Sequence, residues 1–415
     1  MKITYGYGKG TREFSLDEKN LLCEMVQNEV PVTLTGQAEV RRAMEEPIGS
    51  PRLRELVRPG ERIAIVTSDI TRPCPTSLML PVVMEELQAA GVAAEDVTVV
   101  FALGSHRRHT EEEQKYLMGE EWYGRVRCVD SDTENAVHMG ETPAGTPVDV
   151  DPTVAAADRR ICLGNIEYHY FAGYSGGAKA IMPGVSTRAA IQANHSKMVL
   201  DEARAGNLEG NPLRRDIEDA IALVPVDFIL NVVLDEQKTV IKAVAGHYQK
   251  AHRAGCAFLD TLYKVRIPRR ADIVVATPGG FPKDLNLYQA QKALDNSKHA
   301  VREGGIVILA GSCAEGLGEK VFERWMTTSP SPEFMVEEIA RNFELGGHKA
   351  AAIAMVLAKA RIFLVSDLDP EFVRGIFMEP FPDVDSALAE AFSQLGEDAQ
   401  VIFMPHAGST LPSLD

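Results

Sequence analysis

The chain has 415 residues, 45% of them hydrophobic and 25% charged, ordinary proportions for a globular protein and enough apolar material for two cores, which excludes a disordered or fibrous chain. Its 43 Lys and Arg are outweighed by 59 Asp and Glu, a net charge of −16, which argues against a nucleic-acid partner because phosphate tracking needs clustered cations. The six cysteines (Cys23, Cys74, Cys128, Cys162, Cys256, Cys313) form no C-x-x-C pair, the opening residues carry no apolar h-region, and no run reaches the roughly 18 apolar residues of a membrane span. Reduced thiols, no membrane insertion and a cytoplasmic location are the expectation.

In chain order, β-branched runs predict strands at 62–67, 97–102, 160–163, 228–233, 273–276, 306–309, 362–365 and 401–404. Amphipathic stretches of helical length lie among them at 76–90, 212–223, 285–300 and 386–394. This alternation predicts an α/β fold of two domains, each a mostly parallel sheet covered by helices. The basic, proline-containing segment Lys264–Arg270 precedes the strand at 273–276. The expected division is therefore 1–270, then 271–400, with 401–415 as a tail that could return to the first domain.

Open α/β sheets bind ligands beyond the carboxyl ends of their strands, which directs attention to four strand tips. The first carries Asp69, Thr71 and Arg72 in a turn stiffened by Pro73 and Pro75; the planar guanidinium of Arg72 suits a substrate carboxylate, and the plain alternative is an Asx turn with a solvated arginine. The second carries His106, placed for a general base near neutrality, followed by a capping box at Thr110–Glu113. A solvated loop histidine is the plain alternative.

The third tip, after the strand at 160–163, runs His169-Tyr-Phe-Ala-Gly-Tyr-Ser-Gly-Gly-Ala-Lys179, with Asn194-His195 soon after. Lys179 is followed by Ala180, so neither the spacing nor the hydroxyl of a Walker A loop is present. Backbone N–H groups of Ser175, Gly176 and Gly177 could still cradle a phosphate; a tight turn with a surface lysine is the competing reading. At the fourth tip, Thr277-Pro-Gly-Gly-Phe-Pro-Lys-Asp284 leads into a helix with Asp284 as the expected N-cap. Tyr288, Gln289 and Lys292 share one face of that helix, while Leu287, Ala290 and Leu294 face the core.

Together these groups resemble the nickel-dependent lactate racemase family. The matching motifs are Asp69-x-Thr-Arg-Pro, Gly104-x-His-Arg, His169-Tyr-x-Ala-Gly-Tyr-Ser-Gly-Gly-x-Lys179 with His195 downstream, and Pro278-Gly-Gly-x-Pro-Lys-Asp with Tyr288-Gln289-x-x-Lys292. The resemblance implies an active site in the cleft between two α/β domains. It also implies a nickel pincer cofactor, a pyridinium-3,5-bisthiocarboxylic acid mononucleotide, tethered to Lys179 through a thioamide and ligated by His195, with cofactor-biosynthesis proteins as suppliers. Asp69, Thr71, Ser175, Gly176, Gly177 and Tyr288 would contact the cofactor. His106 and His169 would alternate as base and acid on the hydroxyl of a small 2-hydroxy acid, and Arg72, Lys292 and Gln289 would hold its carboxylate.

One departure bears on the substrate. Lactate-type members place a tryptophan on a late helix of the second domain, whereas this chain has only Trp122 and Trp325, and Gly346-Gly-His348-Lys349-Ala350 stands in the corresponding place. The expectation from this is a substrate larger or more polar than lactate, such as a sugar acid or hydroxy diacid; His348 could equally cap the next helix. Two other readings stay open. One is an organic-acid oxidoreductase or dehydratase without nickel, which lacks a G-x-G-x-x-G after any strand; the other is a non-catalytic binding protein for a nucleotide or sugar acid, which leaves both strand-tip histidines idle.

Overall fold

The computed structural model describes residues 1–414. In chain order the strands of its two six-stranded sheets are β1 (Leu21–Glu24), β2 (Ile63–Ser68), β3 (Val97–Ala102), β4 (Arg127–Asp130), β5 (Arg159–Asn165) and β6 (Phe228–Leu234), then β7 (Val240–Gly246), β8 (Ala271–Ala276), β9 (Val301–Ala310), β10 (Ala360–Val365), β11 (Glu379–Phe381) and β12 (Val401–Met404). All eight expected strands are present, extended by up to several residues at their ends. The fold is α/β.

Two compact units divide the chain: residues 30–260, and residues 1–29 together with 261–415. In the first, the order is β7-β6-β5-β2-β3-β4, parallel except for β7. Buried Ile65, Val99, Phe101, Leu163 and Leu230 supply its core. The chain runs outward through β2, β3 and β4 and then restarts at β5 on the other side of β2, so the topological switch point lies between β2 and β5.

In the second unit the order β11-β10-β9-β8-β12-β1 is parallel throughout, with its switch point between β8 and β12. This division differs from the expected one at both ends. Residues 1–29 do not belong with 30–260: β1 pairs with β12, and the antiparallel hairpin Lys2–Tyr7 with Gly10–Ser15 buries Ile3, Tyr5, Tyr7 and Phe14 on the same core as Ile273 and Phe403. The alternating exposure of Lys2–Tyr7 is the period-2 pattern of a half-buried strand. Nor does the tail return to the first unit. Its strand β12 lies inside the second sheet, and Leu411–Ser413 pairs in parallel with Lys264–Arg266, so the basic segment read as a boundary is itself a strand.

Candidate active site

In the 30–260 unit, three of the expected groups stand at the carboxyl ends of β2, β3 and β5, on both sides of the switch point. Asp69 follows β2 and is 3% exposed. Its Oδ2 lies 2.6 Å from His106 Nδ1, beyond β3, and its Oδ1 accepts from Thr71 Oγ1 at 2.8 Å. Burial alone would raise this carboxyl; the donors from His106 and Thr71 outweigh burial and hold it below its ordinary value. An anionic Asp69 requires a proton on Nδ1, which leaves the lone pair of the neutral His106 ring on Nε2.

The turn beneath is locked by a histidine that sequence reading passed over. His109 Nε2 accepts from Ile70 N at 3.0 Å, while its Nδ1 and its backbone N–H both bond Asp130. Arg72 stays exposed, its N–H on Asp69 O.

After β5 the chain forms a two-residue hairpin, Tyr168–His169 against Gly173–Tyr174, whose two tyrosine hydroxyls both donate to Asp260 Oδ1. His169 Nδ1 accepts from Ala172 N at 3.2 Å, so the proton of the neutral ring is on Nε2. Phe171 is the hub of this region and carried no weight in the sequence argument. Its ring centroid lies 4.4 Å from His169, 4.8 Å from His195 and 5.9 Å from Lys179 Nζ.

Lys179 lies in a short 3-10 turn, Gly177–Ala180. Burial pushes its ammonium well below the ordinary lysine value, and the positive charges of Arg214 and Arg72 act in the same direction, which favours the uncharged amine. The glycines before it play a different part from the one expected. Gly176 and Gly177 have φ of +77° and +59°, and a Cβ would fall 2.8 Å from Asn231 Oδ1 at Gly176 and 2.9 Å from the His252 ring at Gly177. They admit the protein's own β6 and the helix Lys250–Tyr263 behind the loop. Ser175 N donates to Glu167 O and Gly177 N to Asn231 Oδ1 at 2.7 Å, so these two N–H groups form no phosphate cradle. Arg214, 1% exposed, and His252 brace the same loop from behind: Arg214 donates to Tyr174 O and Gly176 O, and His252 Nε2 lies 2.8 Å from Ser175 O. Neither residue gave a sequence signal for this role, because the loop carbonyls they hold lie far from them in the chain.

His195 ends helix α1 (Arg188–His195), whose N-cap Thr187 accepts from Ala190 N. Next comes α2 (Pro212–Asp219), opened by Asn211 and with Pro212 at its first position.

The other unit carries the fourth group at its own switch point. Helix α3 (Leu287–Ser297) is capped by Asn286, whose side chain accepts from Gln289 N. Asp284 is therefore not the cap; fully buried, it accepts from Gly8 N and Ser312 N and ties the hairpin loop to the tip of β9. The face assignment agrees: Gln289 and Lys292 are exposed, Tyr288 half-buried, and Leu287, Ala290 and Leu294 buried. Lys349, in α5 (Gly347–Leu357), which follows α4 (Lys320–Thr328), donates to Tyr288 O at 2.6 Å with its ammonium 3.8 Å from the Tyr288 ring centroid. His348 Nδ1 accepts from Gly346 N at 2.9 Å and so closes the first turn of α5. The region is not purely polar: Trp325 of α4 lies against Gly347, where a Cβ would fall 2.4 Å from the indole.

Comparison with known proteins places these arrangements in context. Residues 7–206 match the model of the lactate racemase N-terminal domain, and residues 267–411 that of the lactate racemase C-terminal domain. A lactate racemase from Thermoanaerobacterium thermosaccharolyticum is 34% identical, covering 99% of this chain and 98% of its own, and one from Lactiplantibacillus plantarum is 32% identical over 97% of each. The lactate racemase apoprotein structure from T. thermosaccharolyticum superposes with a TM-score of 0.89 at 33% identity over the whole of both chains. A Thermotoga maritima protein, 19% identical, shares the fold with a TM-score of 0.65, covering 92% of this chain and 100% of its own. No helix among the described residues is long and apolar enough to cross a membrane.

Proposed function

Since the chain belongs to the lactate racemase family and is an isomerase, we propose that it inverts Cα of a small 2-hydroxy acid, lactate being the first to test, in the cytoplasm and with a nickel pincer nucleotide tethered to Lys179. One observation carries this reading: a single aromatic ring, Phe171, gathers the imidazoles of His169 and His195 and the amine of Lys179, which the reading takes as a base, the metal ligand and the cofactor anchor.

The residues fit that cofactor. A thioamide tether needs an unprotonated amine, and burial shifts Lys179 toward that form. An imidazole beside sulfur donors suits Ni(II), and His195 has its Nδ1 on Asn194 Oδ1, which directs Nε2 to the metal. When bound, the cofactor supplies an electron-poor ring that takes hydride from Cα and returns it.

The remaining work belongs to the side chains. As hydride leaves Cα, the hydroxyl must lose its proton, and the two enantiomers present that hydroxyl on opposite sides, so two bases are needed. His106 accepts through Nε2, and Asp69 stabilises the imidazolium that results. His169 serves the opposite enantiomer: as an imidazolium it gives the Nε2 proton to the oxygen of the 2-keto acid, and as a base it takes one there, both forms carrying a proton on Nδ1 and so requiring the contact with Ala172 N to open. Arg72 would hold the carboxylate, and the motifs supply Gln289 and Lys292 as further candidates for that contact and Tyr288 as a candidate for the nucleotide.

The test is direct. Protein co-produced with cofactor-biosynthesis proteins is incubated with single enantiomers of lactate, a hydroxy diacid, an aromatic hydroxy acid and a sugar acid, and Cα inversion is followed by chiral chromatography. Inversion of at least one, accompanied by nickel and a mass increment on Lys179, is expected; neither nickel nor increment in such material would end the proposal.

A further inference from the structure

Behind His195 lies a polar chain that determines which ring nitrogen carries the proton. Asp216 of α2 is 1% exposed, and its carboxylate accepts from Thr142 Oγ1, from Thr146 Oγ1 at 2.7 Å, from Lys197 Nζ at 2.9 Å and from Asn194 Nδ2 at 2.7 Å. These donors outweigh burial and keep the carboxyl below its ordinary value. Asn194 is itself fully buried, and its amide nitrogen also donates to Leu213 O at 3.2 Å. With its nitrogen held by two acceptors, the amide must turn Oδ1 the other way, and Oδ1 lies 3.0 Å from His195 Nδ1. An amide oxygen can only accept. The neutral imidazole therefore keeps its proton on Nδ1 and its lone pair on Nε2.

We infer that Asp216, acting through Asn194, is a positioning residue that sets His195 in the Nδ1–H tautomer and so presents Nε2 as the ligand atom; its importance for activity rests on the nickel reading above. The chain has a direction. A carboxylate cannot donate, so it fixes the Asn194 amide in one of its two orientations, and that orientation fixes the imidazole. A network that merely joined α1 to α2 would be satisfied by either tautomer of His195.

The deciding experiment reads the tautomer in cofactor-free protein, without reference to nickel. Protein labelled with 15N-histidine is studied by two-bond nitrogen–proton correlation at a pH above the imidazole range, the His195 signals being identified by their loss in His195→Gln. Wild type is expected to show the Nδ1–H pattern. Asn194→Leu, close in size and without an acceptor, is expected to move His195 to the Nε2–H form that histidine prefers in water, with a melting curve confirming that the variant is folded. Asp216→Asn, which keeps an oxygen for Asn194 and Lys197, is expected to retain the wild-type form, and Asp216→Leu to lose it.

A wild-type His195 in the Nε2–H form overturns the inference even if no variant folds, and so does a folded Asn194→Leu with an unchanged spectrum. In cofactor-loaded protein, Asn194→Leu should keep the mass increment on Lys179 yet release nickel to a chelator about 10–100-fold faster. Wild-type protein carrying neither nickel nor increment would defeat the nickel reading alone, and the tautomer spectra would still decide the inference.

Discussion

His106 and His169 stand at the ends of β3 and β5 of one sheet, yet opposite means hold them. His106 leans on a buried carboxylate: Asp69 is 2.6 Å from its Nδ1, and Thr71 steadies the second carboxylate oxygen. At His169 a backbone N–H from Ala172 points at Nδ1, and the rings of Tyr170 and Phe171 flank the imidazole. One imidazole thus starts with a lone pair at Nε2 and the other with an N–H there. His106 can therefore take a proton at Nε2 as it stands, whereas His169 must first open its contact with Ala172 N, and two equivalent roles need not have equivalent supports.

The largest expected effect comes from Lys179, whose amine lies over the same Phe171 ring that His169 meets. Lys179→Met should abolish the mass increment and racemisation together, measured by intact mass and chiral chromatography. The same change should raise the melting temperature of cofactor-free protein near neutral pH, because a side chain whose charged form burial disfavours is replaced by an apolar one. The sign follows from linkage: with its folded value depressed, Lys179 makes wild-type stability rise as pH climbs from the folded value toward about 10.4, and the variant should lack that rise.

Next in size are His106→Ala and His169→Ala, each expected to lower kcat/KM by about 10²–10⁴-fold while nickel content and the Lys179 increment remain. Since enantiomers are equal in free energy, kcat/KM must fall equally in both directions for either variant. Unequal supports should then appear only in how kcat and KM divide that loss, and an identical division in the two variants would contradict the asymmetry.

Lys292→Ala, in the other unit, should raise KM more than it lowers kcat, by about 10-fold for removal of a charge-assisted carboxylate contact. The smallest effect is expected from Asp69→Asn on stability. The Asp69 carboxyl lies below its ordinary value in the folded protein, so its contribution is complete above about 4 and is lost as pH falls through the lowered folded value. Wild-type melting temperature should fall more steeply with acid than that of Asp69→Asn, and parallel curves would show that the Asp69–His106 contact adds nothing to stability.

Much of this was legible in the residues themselves. The eight strand runs, the helix face of Leu287, Ala290 and Leu294, and the strand-tip positions of Asp69, His106, His169 and Lys179 follow from local periodicity and from the rule that parallel sheets work at their carboxyl ends. Residues 1–29 were misassigned because the pairing of β1 with β12 joins segments almost four hundred residues apart, and no local pattern records it. Asp284 was misread as a cap because the Asn two residues later competes for the same helix start and wins. The glycines at 176 and 177 looked like room for a ligand, and the space they leave is filled by His252, Arg214 and Asn231.

The sequence by itself determined the class of fold, the family and the set of chemically able side chains, since these depend on short-range periodicity and on motif spacing. The state of each group was decided only by the tertiary structure: Lys179 pushed toward its neutral form, His106 with its lone pair on Nε2, His195 turned by Asn194 and Asp216. Protonation and tautomer depend on burial and on hydrogen-bond partners brought together from distant parts of the chain, and such proximity exists only once the chain is folded.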